Sequence, residues 1–373
     1  AKLMPYQVAH WTSVGLQYPG EFEQRCEFDA PLANQRVIAG YHHGQRFVVA
    51  ADGLYVKPVT VDELRIATAE TFDVIVEPTQ DAYTLFAQSM DRSGYARGTL
   101  AVRPGMAAPV PELDPRPLVT MADMGMAGMD HGAMGGMGDM AGMDHSKMAG
   151  TEGSSMQGMS GMDGGDMKGM NHGATQDMPG MDSMTGMDHS KMSMGGMGEM
   201  QQHPASESNN PLVDMQAMST SPKLDDPGMG LRDNGRKVLT YSDLKSTFED
   251  PDGREPSRTI ELHLTGHMEK FSWSFNGVKF SDAEPVKLKY GERVRIVLVN
   301  DTMMTHPIHL HGMWSDLEDE NGQFLVRKHT IDMPPGSKRS YRVTADALGR
   351  WAYHCHLLYH MEMGMFREVR VEE

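Results

Sequence analysis

Two short segments near the C-terminus concentrate residues that could bind a metal ion. The first, THPIHLHG, spans residues 305–312, and the second, WAYHCHLLYHMEMGMF, spans residues 351–366. The chain has only two cysteines, yet Cys355 stands directly between His354 and His356. Imidazole, thiolate and thioether groups are the ligands of zinc and copper sites in proteins. The two segments therefore predict a metal centre.

The alternation of side chains along a strand divides these residues into two sets. Successive side chains point to opposite faces, so residues two positions apart share a face. One set has four imidazoles on one face: His309, His311, His354 and His356. The other set has His306 and Cys355 on the opposite face, with His360 and Met365 in the turn that follows and close enough to curl back.

The second set has the composition of a known kind of electron-transfer site. Two histidines, one cysteine thiolate and a distant methionine thioether are the ligands of blue copper. A bound cupric ion keeps such a thiol deprotonated. Structural zinc is the alternative, but it would close with four ligands and leave the other histidines unexplained. For Met361 and Met363, we expect core packing or local enrichment rather than a ligand role.

The elements that must position these residues are strands. Residues 236–373 contain about eight short strand patterns separated by Gly, Pro, Asn and Asp, enough for a whole β-sandwich. Residues 41–104 contain about four, including FVVAADGLYV with an Asp52-Gly53 hairpin turn, and predict part of a sandwich. Residues 1–40 show no clear element. The sequence thus predicts an all-β fold with one complete and one partial Greek-key sandwich.

Residues 105–235 have a different composition, rich in Pro, Met and Gly. The heptapeptide GMDHSKM occurs at 142–148 and again at 186–192. Because branched and aromatic side chains are scarce, burial cannot offset the entropy of ordering, and we predict disorder. Thioethers favour Cu(I), so the repeats predict cuprous ion binding; a solvated linker that is merely Met-rich is the alternative. The candidate ligands are Met129, His131, Met143, His145, Met148, Met187, His189 and Met192.

Charge and hydropathy exclude several classes of partner. The formal net charge is -17, which disfavours nucleic acid and anionic membranes. No apolar run approaches the ~20 residues of a membrane-spanning helix. The first residues, AKLMPYQVAHW, lack the basic start and apolar stretch of a signal peptide, and we expect a processed, trimmed or truncated chain.

The motifs carry a resemblance to a known family. HPIHLHG together with HCHLLYHMEMGM resembles the C-terminal copper motifs of multicopper oxidases. The text around them, from WSFNGVKFSDAEP to FREVRVEE, is similar to the copper-resistance A branch, and residues 271–373 carry the close match. The segment from VVAADG to YARGTL resembles the back half of that branch's copper-free middle domain. The resemblance implies cupredoxin-like domains joined by a Met-rich insert.

The resemblance also implies copper cofactors and a role for each residue. His306, Cys355, His360 and an axial Met365 would hold type 1 copper, and His309 would bind type 2 copper. Cys355 would take an electron from cuprous ion or a phenol-like donor. Its neighbours would pass electrons to the trinuclear cluster, where dioxygen is reduced to water. The type 3 copper pair would be held by His311, His354 and His356. The resemblance also implies that the protein is located in the periplasm.

The chain departs from the family pattern in its first domain. The family's trinuclear cluster takes His-x-His pairs from both its first and its last domain, whereas this chain has only 309/311 and 354/356. We therefore expect a fragment whose first cupredoxin domain is missing, or else a partner chain that supplies the other half of the cluster. The alternative function is a copper-sequestering protein whose Met-rich insert stores or delivers Cu(I).

Overall fold

The computed structural model describes residues 7–12, 15–17, 37–41, 46–76, 79–126 and 200–373. Their strands form four sheets, two in each half of the fold. Residues 1–128 and 198–373 belong to one compact unit. In that described part, no helix is long and apolar enough to cross a membrane.

The first half has two five-stranded sheets, ordered β2-β1-β7-β4-β5 and β10-β6-β3-β8-β9. The strands are β1 (Gln7–Thr12), β2 (Gly15–Gln17), β3 (Val37–Tyr41), β4 (Arg46–Ala51), β5 (Leu54–Thr60), β6 (Glu63–Ile66), β7 (Thr71–Val76), β8 (Ala82–Ser89), β9 (Tyr95–Ala101) and β10 (Val238–Leu239).

Three of these strands lie where the sequence predicted no element. The expectation that residues 1–40 are irregular is wrong for β1, β2 and nearly all of β3. β1 pairs along its whole length with β7, whose sequence lies about sixty residues away, and β3 pairs with β6 and β8. Such pairing is set by non-local partners, which a weak local pattern does not reveal.

The Asp52-Gly53 turn is confirmed. Ala51 pairs with Leu54, and both turn residues have positive φ, 49° for Asp52 and 79° for Gly53. A two-residue type I′ hairpin needs this backbone at both central positions, and Asp followed by Gly tolerates it best. The turn places the Asp52 carboxylate against the second half of the fold, where it contacts the backbone of residues 329 and 330.

The second half is a sandwich of a six-stranded sheet, β12-β11-β14-β19-β16-β17, and a five-stranded sheet, β13-β21-β20-β15-β18. Its elements are β11 (Arg258–His267), β12 (Ser272–Phe275), β13 (Val286–Lys289), β14 (Arg293–Asn300), β15 (His306–Leu310), β16 (Ser315–Glu318), β17 (Phe324–Lys328), β18 (Thr330–Met333), β19 (Lys338–Thr344), β20 (Gly349–Cys355), α1 (Leu358–Glu362) and β21 (Phe366–Glu372).

Order extends further into the predicted insert than expected. Residues 105–126 and 200–235 have defined contacts, so the predicted boundaries of disorder at 105 and 235 differ from the structure at both ends. Lys223 donates to the carbonyls of Asp123 and Pro335 at 2.7 and 2.8 Å, and Arg232 pairs with Asp123 at 2.6 Å. Polar contacts between distant residues hold these segments, and composition does not reveal them. Residues 127–199 lie outside the described residues.

Candidate metal centre

Strands β15 and β20 are neighbours in the five-stranded sheet and bring the two His-rich segments together. Their antiparallel register places His309 opposite His354 and Ile308 opposite Cys355. Since directly opposite residues share a face, His309 and His354 point to the same side of the sheet. Cys355, one residue further, points to the other side.

The first site lies on the Cys355 side and is fully enclosed. The Cys355 Sγ atom lies 3.7 Å from His306 Nδ1 and 3.8 Å from His360 Nδ1. The two Nδ1 atoms are 3.0 Å apart. All three side chains are buried, and their ligand atoms lie within 4.8 Å of one another. Three potential metal-ligand atoms therefore converge on one point, and none of them belongs to a Lys or Arg side chain.

The turn after β20 brings the remaining predicted residues back to this site. The short helix α1 carries His360. The chain then reverses direction, and Met365 lies directly before the first residue of β21. The Met365 amide donates to the His360 carbonyl at 2.9 Å, and its own carbonyl accepts from the Cys355 amide at 3.1 Å. Met365 is fully buried. The backbone thus fixes Met365 beside both ligating segments.

Neighbouring side chains orient the two imidazoles. The Thr302 hydroxyl lies 2.7 Å from His306 Nε2, on the far side of the ring from Cys355. The indole of Trp273 stacks on His360, with ring centroids 4.2 Å apart and planes at 19°. Ligating histidines are commonly fixed through their other ring nitrogen. Donation from Nε2–H to Thr302 would therefore select the tautomer whose Nδ1 lone pair faces Cys355 and His360.

The electrostatics of this site favour a bound cation. Burial lowers the pKa of His360 to about 3, so its imidazole is neutral and keeps a free lone pair at physiological pH. Burial also raises the pKa of the Cys355 thiol. A thiolate in such a place needs a metal ion to replace the proton. The donor set therefore fits a thiophilic ion such as copper or zinc.

The second site lies on the opposite face and holds four imidazoles. His311 Nε2 and His354 Nε2 are 3.1 Å apart. The ring centroids of His309 lie 4.6 Å from His311, 5.9 Å from His354 and 5.7 Å from His356. Burial, followed by neighbouring histidines, lowers the pKa of His309 to about 4, so this ring is neutral. The predicted grouping of these four residues on one face matches the structure.

His329 lies outside both His-rich segments, yet it adjoins this second site. Its carbonyl accepts from His309 Nδ1 at 2.7 Å, which leaves Nε2 of His309 to bind a metal. Its ring centroid lies 5.2 Å from that of His309. The amide of His329 donates to Asp52 Oδ2 at 3.0 Å. The hairpin of the first half therefore supports a residue of the second site.

Four further residues form a group that the sequence reasoning missed: His203, Glu207, His263 and Asp301. Only the His203-x-x-x-Glu207 spacing hinted at it, because the other two residues lie about sixty and a hundred positions away. The eight candidate Cu(I) ligands of the insert lie outside the described residues.

Comparisons with known proteins identify related chains and matching family models. Family models described as multicopper oxidase match residues 43–104 and 253–373. The chain is 75% identical over 330 residues to copper resistance protein A of Escherichia coli, covering 87% of this chain and 52% of that protein. It is 76% identical over 326 residues to copper resistance protein A of Pseudomonas syringae pv. tomato, with the same coverage. The chain thus spans about half the length of these relatives.

A solved structure shows the same fold. The multicopper oxidase Fet3p, which functions in iron import, aligns with a TM-score of 0.52 over 91% of this chain and 54% of its own, at 14% identity. That likeness supports the cupredoxin-type sandwich predicted from the sequence. The close relatives and the two matching family models show that the chain belongs to the multicopper oxidase family, whose cofactor is copper.

Proposed function

We propose that this chain carries the electron-entry part of a copper-resistance multicopper oxidase. The whole protein would oxidise cuprous ion or phenol-like donors and reduce dioxygen to water in the periplasm. One observation carries the proposal: Cys355 belongs to one ligand group, while both of its sequence neighbours belong to the other group on the opposite face. A single residue therefore joins the two sites covalently.

The proposed ligand assignment follows from the geometry and the family resemblance. His306, Cys355, His360 and Met365 hold type 1 copper, which supplies one-electron transfer when bound. The buried surroundings exclude water from Cys355, and burial keeps the His360 imidazole neutral. In the opposite group, His309 would bind type 2 copper. The type 3 pair would be bound by His311, His354 and His356.

The four imidazoles of the second site are half of the set that the resemblance implies. The sequence contains no further His-x-His pair. We therefore propose that the other half comes from the remaining length of the whole protein or from a partner chain. The isolated chain should accept electrons at the first site without sustained dioxygen reduction. Continuous dioxygen consumption by the isolated chain would contradict this part.

A Met-lined cavity beside the first site supports cuprous ion as the donor. Its volume is about 220 Å³, and its walls include Pro307 and Leu357, the neighbours of His306 and His356. Thioethers are soft ligands that favour Cu(I). The wall also carries one carboxylate, Asp91, and one guanidinium, Arg116, so the thioethers rather than a net charge favour the ion. The thioethers and the carboxylate come from the first half, from the segment after the insert and from the second half: Met90, Asp91, Met229, Met303 and Met304.

An anaerobic reduction experiment tests the proposal. The copper-loaded chain is mixed with Cu(I) or with a phenol, and bleaching of the thiolate-to-copper absorption is followed by stopped flow. The Met303→Leu/Met304→Leu double variant should slow bleaching by Cu(I) about tenfold or more, since thioethers bind that ion. Bleaching by the phenol should change little. Met363→Leu, outside the cavity, is the matched control. Equal slowing of bleaching by Cu(I) and by the phenol would show that the cavity does not serve Cu(I) specifically.

The second candidate function is Cu(I) storage or delivery by the insert. The repeated GMDHSKM heptapeptide favours it, because each copy supplies two thioethers and an imidazole within seven residues. Deletion of residues 129–197 should lower the number of Cu(I) ions bound per chain, while the thiolate-to-copper absorption stays unchanged. An unchanged Cu(I) stoichiometry would leave the insert as a linker.

A further inference from the structure

A second group of metal-binding side chains lies apart from the copper motifs. It joins the segment that follows the insert to the six-stranded sheet of the second half. His203 lies just before the single turn of 3₁₀ helix at Ala205–Glu207, and Glu207 is its last residue. His263 lies in β11, and Asp301 follows β14. The last three are almost fully buried, and the His203 side chain is 17% exposed. The group therefore has one side open to solvent.

The spacing of the four ligand groups suits a single small ion. His203 Nδ1 lies 3.3 Å from Asp301 Oδ2 and 3.4 Å from Glu207 Oε2. His263 Nδ1 lies 2.7 Å from Asp301 Oδ2 and 3.7 Å from Glu207 Oε1. Four ligands at ~2.1 Å in a tetrahedron are separated from one another by ~3.4 Å. Three of the four distances are close to that value.

Each imidazole is held by its outer nitrogen, so its inner nitrogen faces the group. His203 Nε2 lies 3.0 Å from the carbonyl of Ala217, and His263 Nε2 lies 3.1 Å from the Glu261 carboxylate. When Nε2–H donates to these acceptors, the Nδ1 lone pair is left for a metal. A histidine fixed by a carboxylate or carbonyl in this way is the usual arrangement at metal sites.

The two carboxylates are oriented in the same manner. Asp301 Oδ1 accepts from the Ala217 amide at 2.9 Å, and Glu207 Oε2 accepts from the Gln216 side chain at 2.9 Å. Glu207 Oε1 is buried and has no hydrogen-bond partner in the described part of the chain. A buried carboxylate oxygen without a partner is costly unless a ligand satisfies it. His263 Nδ1 lies 3.7 Å from this oxygen.

The charges of the group also call for a cation. Among the described residues, Glu207 and Asp301 form ion pairs with histidines alone, without Lys or Arg. Two carboxylates and two neutral imidazoles carry two negative charges, which a divalent ion balances. Buried charges are otherwise neutralised by protons. The group therefore holds either protons on its histidines or one divalent ion.

We propose that His203, Glu207, His263 and Asp301 bind one divalent first-row ion, Cu²⁺ or Zn²⁺, through two imidazole nitrogens and two carboxylates. Mixed nitrogen and oxygen ligands suit both ions, and general affinities place Cu²⁺ and Zn²⁺ near the top of the series. The site clamps the segment after the insert to β11 and β14. It also fixes Asp301, whose neighbour Thr302 orients His306.

The test uses the full chain loaded with Zn²⁺ alone, so that no copper competes for the proposed site. Free metal is removed by dialysis, and bound zinc is counted by elemental analysis. Glu207→Gln should bind one zinc ion fewer per chain than the unaltered protein. Gln216→Leu, which releases the outer oxygen of Glu207, should lower zinc affinity about 10–100-fold. His267→Gln, on the same strand as His263 but outside the group, should bind as the unaltered protein does.

Two readouts separate the site from misfolding and from the copper centre. The thiolate-to-copper absorption must persist in Glu207→Gln, which shows that the sandwich is folded. Cu²⁺ added in place of Zn²⁺ should give an electron paramagnetic resonance signal with nitrogen and oxygen ligands that Glu207→Gln removes. Equal zinc counts and copper signals in Glu207→Gln and in the unaltered protein would show a group that holds protons only, and would overturn the proposal.

Discussion

The substitution Asp52→Asn tests how the first half supports the metal-binding half. The Asp52 side chain is fully buried, and its Oδ2 lies 3.0 Å from Lys328 Nζ. The same oxygen accepts from the amides of His329 at 3.0 Å and Thr330 at 3.3 Å. Burial raises the pKa of Asp52, but the nearby charges of Lys328 and His329 and the hydrogen bonds to the carboxylate together outweigh burial and hold this pKa below its usual value. Asp52 is therefore ionised and paired.

The expected cost follows from what the amide can and cannot replace. Breaking a buried ion pair from one side costs about 3–5 kcal/mol, because the other charge remains buried. Lys328 Nζ keeps a second carboxylate, Glu70 Oε1, at 3.2 Å, so we expect the lower end, about 3 kcal/mol. Asn tolerates the positive φ of the hairpin turn as Asp does. The loss of unfolding free energy therefore measures the removal of the Asp52 charge rather than backbone strain.

Equilibrium unfolding in urea measures this loss. Asp81→Asn, an exposed carboxylate in the same half, is the control and should change the free energy of unfolding by less than about 0.5 kcal/mol. Asp52→Asn should keep the thiolate-to-copper absorption, since it contacts no residue of that site. A loss below about 1 kcal/mol would refute the reasoning, because the pair would then not hold the halves together.

Three further predictions concern single positions. Thr302→Ala should lower the affinity of the first site for Cu²⁺ about 10–100-fold, because His306 loses the partner of its outer nitrogen; equilibrium dialysis measures it. Burial raises the pKa of Asp226, but its Arg232 partner outweighs burial and lowers it to about 2. The ion pair should contribute fully to the free energy of unfolding above pH ~4 and lose that contribution as pH falls toward 2. Urea unfolding at several pH values, with Arg232→Leu for comparison, measures it. Gly312→Ala should destabilise the chain in thermal unfolding, because φ is +76° and the new Cβ would lie 2.3 Å from an indole carbon.

Strand geometry alone places His306 and Cys355 on one face of the sheet and His309, His311 and His354 on the other, so the sequence could predict this division. His309 and Cys355 lie in neighbouring strands, and alternation along a strand fixes the face of each side chain. The Asp52-Gly53 turn was equally accessible, since a two-residue hairpin is a local property. Local pattern was therefore sufficient wherever consecutive residues decide the structure.

The features that the sequence did not reveal depend on contacts between distant residues. β1 lies in the sheet because β7 pairs with it, and residues 200–235 are ordered because Lys223 and Arg232 reach partners about a hundred positions away. The group around Glu207 forms only when β11 and β14 are side by side. No spacing in one sequence encodes such proximity.

Cys355, His306 and His360 are proposed to hold one type 1 copper. The visible absorption spectrum of the chain after reconstitution with Cu²⁺ tests this assignment. The geometry predicts one intense thiolate-to-copper band per chain, which Cys355→Ser abolishes and which His356→Ala leaves in place. A chain that binds Cu²⁺ without such a band, or a band that survives Cys355→Ser, would contradict the assignment.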